Sequence, residues 1–180
     1  GTTDIAIWKD GSLLHSQIIP VGGNHFTNDL AVALKIPHAE AERIKINHGC
    51  VLKESLNQSA HITVQGLAGA KSREVQLSVV ADVLGARAEE LFDIINSIIQ
   101  DKQIENDITG GIVLTGGGAL IKSMPELGEY ATGRPTKTGY PRPFGGMTNI
   151  MQNPKYSTVL GLLLGSRDMG EKGVIKEKSA

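Results

Sequence analysis

The chain opens with two short apolar segments that are separated by a turn. The apolar run Ile5-Ala6-Ile7-Trp8 predicts a first strand from about Thr3 to Trp8, and a second strand is predicted from about Leu13 to Ile19. Lys9-Asp10-Gly11 lies between them and is typical of a turn. Pro20 ends the second strand, because proline has no N–H to donate to the ladder. The pattern therefore predicts a β-hairpin.

Two helices are predicted after the hairpin. Gly22-Gly23 leads to Asn24, which is the predicted N-cap residue, and Thr27 to Leu34 has a helical pattern. Pro37 interrupts that pattern. A second helix is predicted from about Ala39 to Asn47.

The middle of the chain is predicted to form a small subdomain. The stretch from Cys50 to Gln76 is polar, with an exposed-edge strand at His61 to Val64 and a turn around Leu67 to Ala70. The longest predicted helix follows, from about Ser78 to Asp101, because apolar residues recur there at helical spacing: Val80, Val83, Leu84, Leu91, Ile94, Ile95 and Ile98. Gly85 inside it costs about 1 kcal/mol relative to alanine, so it either packs closely against a neighbour or marks a bend.

The last third of the chain is predicted to return to the main sheet. A buried strand, Ile112 to Thr115, runs into the triple glycine Gly116 to Gly118. The further predicted elements are a short helix from Pro125, an edge strand at Arg134 to Thr138, an irregular loop at Pro141 to Gly146, a closing helix at Tyr156 to Leu164 and a mobile tail from Arg167.

Composition narrows the possible functions. The chain has 180 residues, 40% hydrophobic and 21% charged, which is enough to bury a core and is not typical of disorder. A net charge of −1 gives no basic field for nucleic acid. The single cysteine cannot form an internal disulfide. With no signal peptide and no apolar run near the roughly 20 residues of a membrane helix, the sequence predicts a soluble chain.

Two glycine-rich segments precede or follow strands in a way that favours phosphate binding. Gly1-Thr2-Thr3 leads into the first strand, and Gly116 to Gly118 follows the strand at Ile112. Glycine lets backbone N–H groups approach a phosphate closely, and threonine adds hydroxyl donors. For Gly116 to Gly118 alone, an ordinary turn explains the glycines as well. The two segments together favour half of a nucleotide clamp.

These segments resemble the motifs of actin-like ATPases. Gly1 to Ile7 resembles their second phosphate motif, usually Asp-x-Gly-Gly-Gly-Thr-Thr-Asp, and Leu114 to Leu120 resembles their adenosine motif. Three further stretches resemble the bacterial FtsA family more closely than MreB or the pilus protein PilM: Ile19 to Asn24 with Thr27-Asn28-Asp29, Ala41 to Lys45 with His48-Gly49-Cys50, and Tyr156 to Leu163. The resemblance covers nearly the whole chain.

The resemblance implies an α/β fold, an actin-like (ribonuclease H-like) ATPase lobe with a mixed sheet, flanking helices and a small α+β subdomain. The motif's aspartate and first two glycines would precede Gly1, so we expect the second lobe, subdomains 2A and 2B. The implied boundaries are residues 1–36 and 110–166 for subdomain 2A, 37–109 for subdomain 2B, and 167–180 for a mobile linker.

The resemblance also implies ATP and Mg²⁺ as ligands of the full-length protein. The implied nucleotide-binding residues are Gly1, Thr2, Thr3, Gly22, Gly23, Asn24, Glu42, Lys45, Gly116, Gly117, Gly118, Ala119 and Leu120. For Glu42 and Lys45 the alternative is an exposed i, i+3 ion pair, and for Leu120 with Ile121 it is core packing. No catalytic or metal-binding side chain is assigned here, because the five histidines show no ligand spacing. ATP hydrolysis stays open, since phosphoryl transfer needs both lobes.

Arg87 is a charged residue on the apolar side of the longest predicted helix. It falls among Val80, Val83, Leu84, Leu91, Ile94 and Ile98 on a wheel of about 100° per residue. Such an arginine snorkels to the rim, pairs with a buried acid or receives a partner's carboxylate. The resemblance favours the third, because FtsA proteins receive the acidic, apolar tail of FtsZ on this subdomain. The predicted partner-binding residues are Arg87, Glu90 and Ile94.

The function implied by the resemblance is in cell division. FtsA proteins polymerise and tether the FtsZ ring to the cytoplasmic face of the inner membrane at the division site, together with other division proteins. Their membrane contact is a C-terminal amphipathic helix, which we expect to lie outside this chain. A filament contact is expected near His61 to Gln65 or Pro141 to Met147. The alternatives are a PilM-type pilus assembly adaptor and a small-molecule kinase of the same superfamily, although Cys50 to Gln76 offers no catalytic carboxylate flanked by glycines.

Overall fold

The structure, a computed structural model, describes residues 1–57, 59–67, 70–141 and 153–166. Strands and helices are both present, which agrees with the predicted α/β class. Two compact units are distinguished. Unit 1 comprises Gly1–Ile112 and Ile121–Lys137, and unit 2 comprises Val113–Leu120 and the described residues from Thr138 onward. The predicted subdomain boundaries stay a prediction, and the predicted tail and most of the Pro141 to Met147 loop lie outside the described residues.

The predicted hairpin is confirmed. Strand β1 (Thr3–Lys9) pairs antiparallel with β2 (Ser12–Ile19), with a register shift between Ile7 and Trp8. The turn consists of Asp10 and Gly11, both with positive φ, 51° and 78°. Two positive φ angles match the twist of the flanking strands, and Asp-Gly is a favoured sequence for such turns. The turn residues therefore fix the register of the hairpin.

Two helices follow the hairpin in unit 1, as predicted. Helix α1 spans Gly23–Leu34 and helix α2 spans His38–His48. The prediction of Asn24 as N-cap is wrong, because α1 begins at Gly23 and its N-cap residue is Gly22. The first turn is closed by the backbone of Gly22 and the side chain of His25, so the helix starts earlier than the asparagine indicated.

The middle segment contains one strand more than the sequence predicted. Strand β3 (His61–Val64) is confirmed, and it pairs antiparallel with β4 (Arg73–Gln76), which the pattern missed. A 3₁₀ turn at Lys53–Ser55 precedes them. Among the described residues, the predicted turn at Leu67 to Ala70 is represented only by its two ends. The predicted filament contact at this edge stays a prediction.

Helix α3 (Leu77–Asp101) is the long helix that the spacing predicted, and it contacts α1, α4 and β4. Its buried face includes small residues that hydropathy did not select. The buried residues are Val80, Ala81, Leu84, Gly85, Ala88, Phe92, Ile95, Ile98 and Ile99. An added Cβ at Gly85 would lie 2.7 Å from the Val51 carbonyl oxygen. Of the two alternatives for this glycine, close packing against a neighbour is therefore the correct one.

The remaining elements follow α3 in the chain. They are a 3₁₀ turn at Glu105–Asp107, β5 (Ile112–Leu114), a 3₁₀ turn at Gly117–Leu120, α4 (Met124–Thr132), β6 (Thr136–Thr138), a 3₁₀ turn at Pro154–Tyr156 and helical residues 157–166. Strands β5 and β6 pair with each other. No helix in the described ranges is long and apolar enough to cross a membrane.

The close contact between α3 and α4 depends on a glycine in α4. Gly128 of α4 is buried, and a Cβ built on it would lie 2.7 Å from Cζ of Phe92. The Phe92 ring is itself almost completely buried, at 1% exposure. Because the interior is close-packed, the ring cannot move away without displacing other atoms. The two residues therefore form one complementary pair.

Gly128→Ala is expected to lower the free energy of unfolding by about 1–3 kcal/mol, the usual cost of overpacking. Phe92→Leu alone should also be destabilising, because it leaves a cavity. In the double variant the smaller side chain makes room for the added methyl, so we expect the two losses not to add. Urea unfolding of the single and double variants measures this coupling. Strictly additive losses would contradict the proposed contact.

Candidate functional site

The loop before β1 lies against the loop before α1. The Thr3 hydroxyl donates to the Val21 carbonyl oxygen at 2.8 Å. Gly22 is buried, and a Cβ added to it would lie 2.9 Å from the carbonyl carbon of Gly1 and the nitrogen of Thr2. Glycine at position 22 therefore allows the two backbones to touch. The predicted residues Gly1, Thr2, Thr3 and Gly22 are brought together within unit 1.

A reciprocal pair of hydrogen bonds closes the first turn of α1. The Gly22 N–H donates to Nδ1 of His25 at 3.1 Å, and the His25 N–H donates to the Gly22 carbonyl oxygen at 2.8 Å. The arrangement resembles a capping box, in which the third helical residue accepts from the N-cap N–H. Here an imidazole takes the place of the usual glutamate or glutamine. Asn24 is exposed on the same turn.

Lys45 of α2 reaches back to this turn. Its ammonium lies 3.0 Å from the Gly23 carbonyl oxygen, 2.8 Å from the Thr27 hydroxyl and 2.7 Å from Oε2 of Glu42. The Thr27 hydroxyl also contacts Glu42 Oε2 and lies 3.1 Å from the Gly23 carbonyl oxygen. Lysine has three N–H donors and no acceptor. Each donor thus has an acceptor within hydrogen-bonding distance.

Burial distinguishes this ion pair from an ordinary surface pair. The Lys45 side chain is only 10% exposed, whereas that of Glu42 is 39% exposed. Thr27 is completely buried. The alternative prediction, an exposed i, i+3 ion pair, is thus correct for the exposure of Glu42 but not for that of Lys45. The predicted roles of the two side chains toward ribose and adenine stay a prediction.

The charge of Glu42 is stabilised in the folded chain. Burial by itself raises the pKa of Glu42, but hydrogen bonds from Lys45 and Thr27 and the Lys45 charge outweigh it, so the pKa lies below its usual value. A depressed carboxyl pKa stabilises the fold above the unfolded-state pKa, about 4.3 for glutamate. That contribution is lost as the pH falls through the folded-state pKa. The cluster is therefore weakened by acid.

The remaining predicted nucleotide-binding residues belong to unit 2. Gly116 has φ of +85°, which favours glycine, and its N–H donates to the Pro154 carbonyl oxygen at 3.1 Å. Among the described residues, no atom lies within 4 Å of a Cβ built on Gly117 or Gly118. Ala119 is buried and Leu120 is 50% exposed. The turn can present N–H groups to a ligand.

Arg87 of α3 is held by two carboxylates. Its Nε and Nη2 donate to the two oxygens of Asp29 on α1 at 2.6 and 3.1 Å, and its Nη1 donates to Glu90. The Arg87 and Asp29 side chains are 23% and 25% exposed. Of the three alternatives for this arginine, the structure shows pairing with an acid. Glu90 is exposed and Ile94 is half-buried; the predicted partner contact of all three residues stays a prediction.

Sequence reasoning missed two residues of this site, His25 and Thr27. Only Thr27 has a partial signal in the sequence: it belongs to one of the motifs that resemble the FtsA family, although it is not among the predicted site residues. In the described ranges, no group of three or more His, Cys, Asp or Glu side chains is placed to hold a metal ion. Polar atoms on the helix termini and loops, rather than a carboxylate cluster, are what this site offers a ligand.

Comparison with known proteins identifies relatives of the chain. The family model described as "Cell division protein FtsA" matches residues 1–161. A curated protein of that description from Pseudomonas aeruginosa is 37% identical over 164 residues, covering 91% of this chain and 39% of that protein. One from Neisseria meningitidis is 34% identical over 185 residues, covering 99% of this chain and 45% of that protein. The chain thus spans less than half the length of these relatives.

Solved structures support the actin-like fold. MreB5 of Spiroplasma citri bound to ADP aligns with a TM-score of 0.76 at 23% identity, covering 96% of this chain and 52% of that one. The PilM-PilN type IV pilus biogenesis complex aligns with a TM-score of 0.64 at 16% identity, covering 91% and 42%. At these identities the likeness concerns the fold alone. It confirms the predicted fold class.

Thr27→Val is expected to lower the free energy of unfolding by about 1–3 kcal/mol, the cost of leaving a buried polar partner unsatisfied. Valine keeps the shape of threonine but offers no acceptor to the Lys45 ammonium. Thr27→Ser is the matched control, because it keeps the hydroxyl and removes only a methyl group. Urea unfolding of both variants decides the point. A larger loss for serine than for valine would show that packing, not the hydroxyl, matters at this position.

Proposed function

The chain belongs to the FtsA family of cell division proteins, and from this premise we propose that it forms the part of an ATP-binding lobe that grips the phosphates and the ribose. The observation that carries the proposal is the meeting of three segments in unit 1. The Gly1–Thr2 backbone touches Gly22, and Gly23 next to it accepts from Lys45. Backbone N–H groups and a lysine near one helix N-terminus suit an anionic ligand.

The proposed ligand is ATP with Mg²⁺ in the full-length protein. Actin-like relatives in fold have been crystallised with ADP and with AMPPNP. In this proposal Gly1 to Thr3 donate to the phosphates, Glu42 and Lys45 lie at the ribose, and Gly116 to Leu120 support the adenosine. Mg²⁺ usually binds through substrate phosphates and one or two carboxylates. Because the described residues provide no such carboxylate cluster, we assign none of them to the metal, and ATP hydrolysis is left to the complete protein.

The proposed cellular role follows from the family. We propose that the whole protein polymerises through actin-like contacts, one of them near His61 to Gln65 or Pro141 to Met147, and tethers FtsZ to the cytoplasmic face of the inner membrane at the division site. A C-terminal helix outside this chain would make the membrane contact. The pilus-adaptor alternative has only a fold-level likeness in its support. The kinase alternative has no described feature in its favour.

Lys45→Met in the full-length protein is expected to weaken ATP binding at least tenfold, about 1.4 kcal/mol. The change removes the ammonium and frees Glu42 from its partner. Lys53→Met is the matched control, since it removes the same charge from a side chain that is 57% exposed and pairs at the surface with Asp82. Calorimetry measures both affinities.

Equal affinity in the two variants would remove Lys45 from the proposed site. The 180-residue chain by itself should bind ATP much more weakly than the full-length protein, because the proposed site needs a second lobe to complete it. Micromolar affinity of the chain alone would contradict the two-lobe arrangement.

The FtsZ tail is proposed to dock on α3 near Arg87, Glu90 and Ile94. A guanidinium next to a half-buried aliphatic residue suits a peptide that is both acidic and apolar. Arg87 is engaged with Asp29 and Glu90 in the described structure. A peptide carboxylate would therefore have to replace one of these two partners. Glu90 is the more exposed of the two acids, at 54% against 25% for Asp29, and is the one we expect to be displaced.

Arg87→Glu is expected to weaken binding of an FtsZ-tail peptide at least tenfold, about 1.4 kcal/mol. Asp29→Asn is the informative second variant, because it breaks the internal ion pair and leaves the guanidinium in place. Tail affinity should be kept or increased in Asp29→Asn if Arg87 receives the peptide. Peptide titration and thermal unfolding are measured on each variant. Loss of stability in both variants with unchanged tail affinity would make Arg87 a purely structural residue.

A further inference from the structure

The imidazole of His25 is the acceptor in a hydrogen bond that only the neutral side chain can make. A backbone N–H is always a donor, so the 3.1 Å contact between Gly22 N and His25 Nδ1 requires Nδ1 to be unprotonated. Protonation of the ring converts Nδ1 into a donor and removes the acceptor. The bond therefore exists in one charge state of His25 and not in the other.

The donor in this bond has no alternative partner in the described contacts. Gly22 is buried, and its N–H is shown bonded to His25 alone. A buried N–H that loses its acceptor costs about 1–3 kcal/mol unless it moves to meet water. Protonation of His25 thus favours a displacement of Gly22.

A displacement of Gly22 cannot stay local. The backbone of Gly22 lies so close to Gly1 and Thr2 that a single added carbon would come within 2.9 Å of both. The Thr3 hydroxyl is hydrogen-bonded to the carbonyl oxygen of Val21, the residue that precedes Gly22. Movement at Gly22 is therefore passed to the segment proposed to hold the phosphates.

We propose that His25 is a proton-sensitive positioning residue, which in its neutral form holds the Gly22 loop and the Gly1–Thr3 segment in the nucleotide-binding arrangement and releases them when protonated. The inference rests on the proposed nucleotide binding. Acidification that protonates the His25 ring should accordingly lower nucleotide affinity.

Other titratable and charged groups surround α1 and must be separated from His25. Helices α2 and α3 pack against it. The charged and titratable residues of α2 are His38, Glu40, Glu42, Arg43, Lys45 and His48, and those of α3 are Asp82, Arg87, Glu89, Glu90, Asp93 and Asp101. Glu42 pairs with Lys45, and Arg87 pairs with both Glu90 and Asp29 of α1. Asp4 follows the Gly1–Thr3 segment on β1. The nucleotide's phosphates also titrate, so a pH profile of the wild type alone would decide nothing.

The decisive comparison is between the wild type and His25→Gln. Glutamine at the third helical position can accept from the N-cap N–H through a side chain that does not titrate. Every other titrating group, including the ligand, is the same in both proteins. His25→Leu is the second variant, which has no acceptor at any pH.

The experiment measures binding of a fluorescent ATP analogue with Mg²⁺ to the three full-length proteins from pH 5.5 to 8.0. We expect wild-type affinity to fall about fivefold more than that of His25→Gln toward pH 5.5, the equivalent of about 1 kcal/mol. His25→Leu should be about fivefold weaker than the wild type at pH 8.0 and should lose that difference at pH 5.5.

Hydrogen exchange of the peptide containing Gly22 in nucleotide-free protein supplies an independent readout. Relative to His25→Gln, the wild type should lose protection of that peptide at pH 5.5. Parallel affinity profiles for wild type and His25→Gln would overturn the inference and leave the proposed function standing. No binding by any of the proteins at any pH would overturn the proposed function, and the inference about affinity with it.

Discussion

A lysine ammonium that is almost completely removed from water has to find an acceptor for each of its protons, and this requirement organises the first half of the chain. Lys45 meets it with a backbone carbonyl of α1, a buried hydroxyl of α1 and a carboxylate of its own helix. An unpaired buried charge would cost far more than the pair gains. This polar cluster therefore ties the start of α1 to α2, alongside the buried apolar residues of the two helices.

Periodicity was sufficient for the elements whose burial is regular. The spacing of apolar residues predicted α3 from Ser78 to Asp101, and the helix spans Leu77–Asp101. The apolar run from Ile5 to Trp8 predicted β1. Strand β4 escaped because only Val75 among its four residues is buried, so no alternating pattern exists to detect. A hydrophobic pattern predicts an element when buried positions recur along it. It misses an element such as β4, which is defined only by its pairing with a neighbouring strand.

The candidate site could be predicted in its glycines and its charged pair, but not in the residues that hold them. Thr27 is a polar residue with no exposed surface, and its partners become visible only when α1 and α2 are packed. His25 acts through its ring nitrogen on the residue three positions earlier, a contact that depends on where the helix begins. For Arg87 the helical pattern left three alternatives open, and the partner that decides between them, Asp29, is 58 positions away. A contact between residues so far apart in the chain produces no local sequence pattern.

The position of α3 also has a consequence for the order in which the chain folds. The hairpins β1–β2 and β3–β4 and the pair α1–α2 join neighbours in the sequence, whereas α3 brings α1 and α4 together from either side of it. Hairpins form in about 1–10 μs, and non-local contacts must first overcome the entropy of closing long loops. We therefore expect the local pairs to form early and docking of α3 to set the folding rate. Residues on its buried face, small ones included, should then affect the folding rate as well as the stability of the chain.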